Sequence, residues 1–261
     1  MGNAHNGQND QKKLTSFVDT TEIRYLCRNI ETMAYNQVVD YYNRIAPTYD
    51  ESRFSNSYGR FIDVQERRIL DTLIDTGSDE QRLELACGTG RLTGYATHAL
   101  DASDEMMTRA RQRHPEVEFR LASATDTGYA DGLFDVVYCF HLMMHLDMPT
   151  IGLIVDEARR VLKSGGRFIF DIPSSLRRRL LRHNQVTWHG ATQLSTSEVK
   201  SLASGKFALR RSFGVAMLPI HKIPESWRPR LTSFDYALAN SFMREYSSYL
   251  VFELVKSEAI N

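Results

Sequence analysis

No Cys-x-x-Cys pair occurs in this sequence. Its 3 cysteines, Cys27, Cys87 and Cys139, stand far apart and odd in number. That argues against a disulfide framework and against a zinc site, and a reducing cytosol suits such a chain. No cluster with metal-ligand spacing is apparent, so no metal is expected. Charge of one sign is also missing: 32 Lys and Arg balance 32 Asp and Glu, and nothing pulls the whole chain towards nucleic acid or an acidic membrane surface. No apolar run reaches the length of a membrane span and no signal peptide is visible, so a cytoplasmic protein without a membrane partner is expected. Met1-Gly2 opens the chain, but Asn6 stands where a myristoylation signal wants Ser or Thr. Two nucleotide-binding signatures are incomplete. Gly88-x-Gly90 is followed by Thr93 instead of a third glycine, which speaks against a dinucleotide oxidoreductase, and the absence of a following Lys excludes a P-loop.

What is present is ordinary globular composition. The 261 residues are 42% hydrophobic and 25% charged, enough for one large domain or a domain with a cap. Its organising stretch is Leu83 to Thr93. A polar lead-in runs into a short apolar segment that breaks into Gly88-Thr89-Gly90, which predicts a buried strand feeding a glycine turn. Two glycines one residue apart let backbone pass close to a ligand, because neither carries a Cβ.

Residues 1–18 form a polar tail with little apolar surface to offset the cost of ordering. A helical pattern from Asp19 to Val39 is either a cap over a site or a helix packed on the domain's edge. Pro47 interrupts Tyr41 to Asp50, and a helix follows from Tyr58 to about Asp75, with Glu66, Arg67, Arg68 and Asp71 on its expected solvated face. Residues 19–75 are thus read as a helical cap and 76–261 as the core. Further strands are expected at Ala96–Leu100, Val117–Leu121, Asp131–Cys139, Arg167–Asp171, Phe207–Val215 and Ser248–Lys256, with helices near Met107, over Ile154–Leu162 and over Ser195–Ser204. Arg177, Arg178, Arg179 and Arg182 read as a solvated basic face. The segment 216–246 is too long for an idle loop. It is expected to line an acceptor pocket or make a dimer contact, in a monomer or homodimer.

The run Glu84-x-Ala86-Cys87-Gly88-Thr89-Gly90 resembles motif I of the class I S-adenosylmethionine (SAM) dependent methyltransferases. Ile45-Ala46-x-x-Tyr49-Asp50, Asp131-Gly132-x-Phe134-Asp135-x-Val137 and Leu162-Lys163-Ser164-Gly165-Gly166-Arg167-Phe168 resemble further family segments in the family's order. The resemblance covers about Tyr41 to Lys256. It implies an α/β fold, a doubly wound, mixed seven-stranded sheet of the Rossmann-like methyltransferase type with an N-terminal helical cap. It also implies SAM as cofactor and methyl transfer to an O, N or C nucleophile of a small-molecule acceptor. Gly88 and Gly90 would approach the methionine part and Glu84 would steady the loop. Asp101 would hold the ribose, Tyr49 would close over the cofactor, and Ser123 would replace the usual adenine-binding Asp. Ala86, Ala102, Met106, Ala124 and Phe140 complete the implied contacts. His145, and secondarily His141, would serve as general base, although a buried His orienting a loop has equal standing. Asn/Asp-Pro-Pro-Tyr, typical of nucleic-acid amino methylation, is absent.

One departure stands out. Residues 91–97 have room for roughly one helical turn, where the family places a longer crossover helix. Either the strand boundary slides, or a deletion leaves the first two strands uncovered on one face and the loop irregular. The second case would favour a SAM-binding protein with weak or no transferase activity.

Overall fold

Every side chain of Val136-Val137-Tyr138-Cys139 is buried, yet alternate residues join different apolar clusters. Val137 and Cys139 pack with Leu83, Leu85 and Phe168, whereas Val136 and Tyr138 pack with Ile69, Leu70 and Ile169. Period-two alternation with both faces apolar is what a strand covered by helices on each side requires. The computed structural model that shows this describes residues 38–181 and 191–258. The predicted tail, nearly all of the helix predicted over Asp19 to Val39, Cys27 and Arg182 lie outside the described residues. The chain divides into compact units Met1–Tyr41 and Tyr42–Asn261. Of the first, only residues 38–41, which are helical, are described.

In the second unit a 3-10 turn at Ala46–Thr48 leads into α1 (Tyr49–Arg53) and α2 (Ser57–Leu73). The strands are β1 (Arg82–Leu85), β2 (His98–Asp101), β3 (Glu118–Leu121), β4 (Phe134–Cys139), β5 (Leu162–Pro173), β6 (Phe207–Val215) and β7 (Tyr249–Lys256). Between them lie α3 (Asp104–Arg113), α4 (Met148–Val161), α5 (Ser175–Leu180), α6 (Thr196–Ala203) and α7 (Arg228–Ala239). The sheet order is β3-β2-β1-β4-β5-β7-β6. β1 to β5 run parallel, and β7 is antiparallel to both β5 and β6. This is the mixed seven-stranded architecture expected from the sequence. β1 pairs with β2 on one side and β4 on the other, so the strand order reverses there. Open α/β sheets bind ligands at the carboxyl ends of strands beside such a reversal.

Two expectations about the crossover are corrected. A single 3-10 turn, Thr93–Tyr95, replaces the missing helix, but the strands are not uncovered: Leu83, Leu85, Ala99 and Leu100 have no exposed surface. Leu92 and Ala96 pack into the cluster formed by Phe61, Ile69 and Leu70 of α2 and Ala110 of α3. Nor is the loop free. Arg91 bridges Asp63 at 2.7 Å and Glu66 at 2.8 Å, its carbonyl accepts from Arg67, and the Tyr95 hydroxyl donates to Asp71. The face of α2 assigned to solvent therefore grips this loop, and Glu66 is fully buried.

The long insert carries α7, and its anchor is buried: Gln65 Nε2 of α2 donates to Asp235 Oδ2 at 2.8 Å, while Asp235 accepts from the backbone of Met217 and Leu218.

Candidate active site

Asp101 ends β2 at the reversal. Its Oδ2 accepts from the Gly88 backbone N at 2.8 Å and its Oδ1 from Ser103 N at 2.8 Å. One carboxylate thus joins the glycine loop to the turn before α3. Burial pushes this carboxyl up, against the pull of those backbone donors. A carboxylate has about four lone-pair sites, so acceptor capacity remains for a ligand hydroxyl.

The two glycines do different work. Both take positive φ, +55° at Gly88 and +85° at Gly90, a region L side chains avoid. A Cβ on Gly88 would meet nothing within 4 Å, so its backbone faces open space. A Cβ on Gly90 would lie 3.0 Å from Ala110 Cα and 3.2 Å from the His114 ring. Gly90 therefore allows α3 to pack on the loop, and the expectation that its side-chain space belongs to the methionine moiety is corrected. Below the loop, buried Glu84 accepts from Thr93. Burial pushes its carboxyl up to about 8. Ala86 leaves β1 with φ +52°.

Segment 42–56 lies over this loop. Asp50 accepts from Thr89 Oγ1 and Arg113, and Asn43 accepts from Ser103 Oγ. The Tyr49 hydroxyl is within electrostatic reach of Arg91 and Asp101, and burial raises its pKa. Met106 is 1% exposed and Phe140 8%, whereas Ala102, Ser123 and Ala124 are half-buried. The Ser123 hydroxyl is engaged with Thr125 at 2.8 Å.

A cavity of about 330 Å³ adjoins this region; Tyr49, Phe54, Tyr58, His141, His145 and Tyr249 are among its lining residues. Those residues come from 42–62, 141–145 and Tyr249. A larger groove of about 530 Å³, lined by Asp131, Arg159 and Lys256 among others, lies by the amino ends of β4 and β5.

His141 departs from the expected role. It holds φ +57°, its backbone N donates to Asp171 Oδ1 at 2.6 Å, its Nε2 lies 2.8 Å from Glu66 Oε1 and its Nδ1 3.6 Å from Asp171 Oδ2. Burial disfavours the charged ring, but Glu66 and Asp171 outweigh it and raise its pKa. Burial likewise pushes Asp171 up, to about 6, whereas His141 and Arg91 overcome burial at Glu66 and hold its carboxyl low. With both nitrogens facing carboxylates, His141 locks loop to helix and cannot readily accept a substrate proton. His145, on the 3-10 turn Met143–His145, remains at the cavity wall.

Sequence reasoning missed Glu66, Arg91 and Asp171. Glu66 had a signal: it falls on the stripe Ile62, Ile69, Leu70, Leu73, at helical spacing. Donor atoms of Glu66, His141 and Asp171 lie within 4.8 Å of one another, a spacing a metal ion could use and one not visible in the sequence. Arg91 on Glu66 and the ion-paired ring already balance the carboxylates, which makes this a charge-neutral ion-pair cluster.

Residues 83–170 match the family described as a methyltransferase domain. A demethylmenaquinone methyltransferase of Chlorobaculum parvum is 28% identical over 152 residues, covering 52% of this chain and 60% of that protein. A sarcosine/dimethylglycine N-methyltransferase of Halorhodospira halochloris is 34% identical over 110 residues, covering 37% and 39%. The chain thus spans no more than three-fifths of the length of these curated relatives. A Thermotoga maritima structure, titled a SAM-dependent methyltransferase and possible histamine N-methyltransferase, superposes with TM-score 0.59 at 19% identity, covering 82% of this chain and 97% of that one. An N-methyltransferase of Bradyrhizobium japonicum in complex with S-adenosyl-L-homocysteine gives 0.52 at 15%, covering 78% and 89%. Over residues 83–170 the chain is thus similar to a methyltransferase domain, and its fold is the one these solved structures share.

Proposed function

We propose that this chain transfers a methyl group from SAM to a small-molecule acceptor. One observation carries the reading: at the strand-order reversal, Gly88 presents bare backbone to open space while its N–H is held by the Asp101 carboxylate. These residues fit the cofactor. Gly88 would approach the methionine part, Asp101 the ribose hydroxyls, and Tyr49 would close the site from segment 42–56. Ser123 and Ala124 after β3, and Phe140 after β4, are proposed to face the adenine side.

When bound, SAM supplies a methyl group on a sulfonium for in-line displacement. The protein's part is positioning, since holding two reactants at near-attack geometry is worth about 7–11 kcal/mol. The fixed Arg91–Glu66–His141 cluster keeps the loop and the cavity wall in register. His145 is proposed to take the acceptor's proton. Binding without transfer draws its support from the short crossover and from Ser123; the packing of α2 against Leu92 and Ala96 speaks against the first, while Ser123 still stands in place of a carboxylate.

Calorimetry with SAM and S-adenosylhomocysteine, followed by product formation across hydroxyl, amine and carbon acceptors, tests the proposal. Asp101→Ala removes a charged hydrogen-bond partner, typically about 1.5–3 kcal/mol, so affinity should fall roughly ten- to a hundredfold. A drop below about threefold would move the ribose site elsewhere.

A further inference from the structure

Consecutive ring contacts form a belt around the cavity. Tyr42 meets Tyr49 at 6.2 Å between centroids, Tyr49 meets Phe54 at 6.0 Å, Phe54 meets His141 at 5.9 Å and His141 meets Tyr249 at 5.5 Å. Every contact is tilted or edge-on, as quadrupoles prefer. None of the described residues lining the cavity is acidic, whereas Arg53 stands at its rim and His141 in its wall. Glu66 is spent on His141 Nε2 and Arg91 Nη2, and Asp171 on the His141 backbone N. Arg91 stacks 4.1 Å over Phe54, but its charge is balanced by Asp63 and Glu66, so the cation that the lining itself offers is Arg53.

From this geometry we infer that the acceptor is a phenol, a hydroxylated aromatic ring of modest size, and not an amine. The inference rests on the methyltransferase reading. An ammonium group would find aromatic faces but no carboxylate among the described lining residues to pair with, and would sit near the Arg53 guanidinium. A phenolic ring stacks on the belt, and negative charge developing on its oxygen is favoured by the Arg53 guanidinium. In the step itself, the phenol O–H proton passes to the His145 imidazole and on to solvent. The oxygen pair forms the new O–CH₃ bond as the S–CH₃ bond breaks, and the sulfur keeps that pair as the neutral thioether of S-adenosylhomocysteine.

The test uses the full chain and two stages of thermal melts with calorimetry. S-Adenosylhomocysteine alone comes first and checks the cofactor reading; if it does not bind, that reading falls and takes this proposal with it. With the thioether present, 4-hydroxybenzoate and caffeate are compared with sarcosine and histamine. The expected result is at least about tenfold tighter binding of the phenols, with product methylated on oxygen. Tighter binding of the amines, or of neither class by a chain that binds the thioether, overturns the proposal. Arg53→Glu places a carboxylate on an exposed rim position without touching the core. It should weaken the phenols about five- to tenfold and narrow their lead over the amines; unchanged selectivity counts against the charge argument. His145→Gln should lower turnover while phenol affinity stays within about twofold, a split between kcat and binding that a merely structural role would not give.

Discussion

At Gly88 and Gly90, two residues of one type and similar backbone separate function from packing. Alanine at either position must hold positive φ, a strain of roughly 1–2 kcal/mol. At Gly90 the added methyl also presses on Ala110, and overpacking adds about 1–3 kcal/mol. Gly90→Ala should therefore lower the melting temperature more than Gly88→Ala. Gly88→Ala should instead erase most of the S-adenosylhomocysteine-induced shift. Paired melts with and without that ligand read both, and equal losses of stability would contradict the assignment. Glu84 offers a pH signature. Its folded pKa of about 8 lies above the reference 4.5, so the folded state binds an extra proton. The stability this contributes is complete below the unfolded value and is lost as pH rises through the folded one. Glu84→Gln retains an acceptor for Thr93 and has nothing to titrate. Between about pH 5 and pH 8 the melting temperature of the variant should rise relative to the parent. A constant difference would show that Glu84 does not titrate in that window.

Among the elements, α2 bears the most consequence. It supplies apolar cover for β2 and β4 through Ile69 and Leu70, holds the 91–97 loop through Asp63 and Glu66, and anchors the insert through Gln65. Glu66→Gln would remove the fully buried carboxylate that Arg91 and the His141 ring share, leaving Asp63 to the one and Asp171 to the other. Breaking one partner of such a pair costs about 3–5 kcal/mol, which a denaturant melt would register, and a loss under about 1 kcal/mol would mean the cluster is held by other contacts. The 91–97 loop yields a further test. Because Leu92 and Thr93 are buried and Arg91 is doubly bridged, a two-turn amphipathic insertion between Thr93 and Gly94 would displace α2. Melting temperature and the thioether-induced shift should both fall. A rise in either would restore the reading of a damaged crossover.

For the whole molecule, local sequence determined most of the architecture. Alternating or continuous apolar runs located all seven strands, with β6 predicted residue for residue as Phe207–Val215, and the glycine turn after β1 pointed to the crevice at the sheet's reversal. Strand period and turn chemistry are short-range properties, so neighbours in the chain suffice to specify them. The site was legible where it follows a strand directly, as with Gly88 after β1 and Asp101 at the end of β2. It was not legible where partners are distant. Glu66 and His141, or Arg91 and Asp63, meet only because α2 folds back across β1. A charged residue is read as solvated until its countercharge is known, since burial of a lone carboxylate is prohibitive and burial of a paired one is not. For the same reason, the crossover that looked deleted in the chain is filled by a helix from before the strand. Which way the Gly90 hydrogens point, which nitrogens of His141 are engaged, and which rings meet around the cavity were decided by tertiary packing alone. Each depends on the direction of a side chain in space, which spacing along the sequence does not encode.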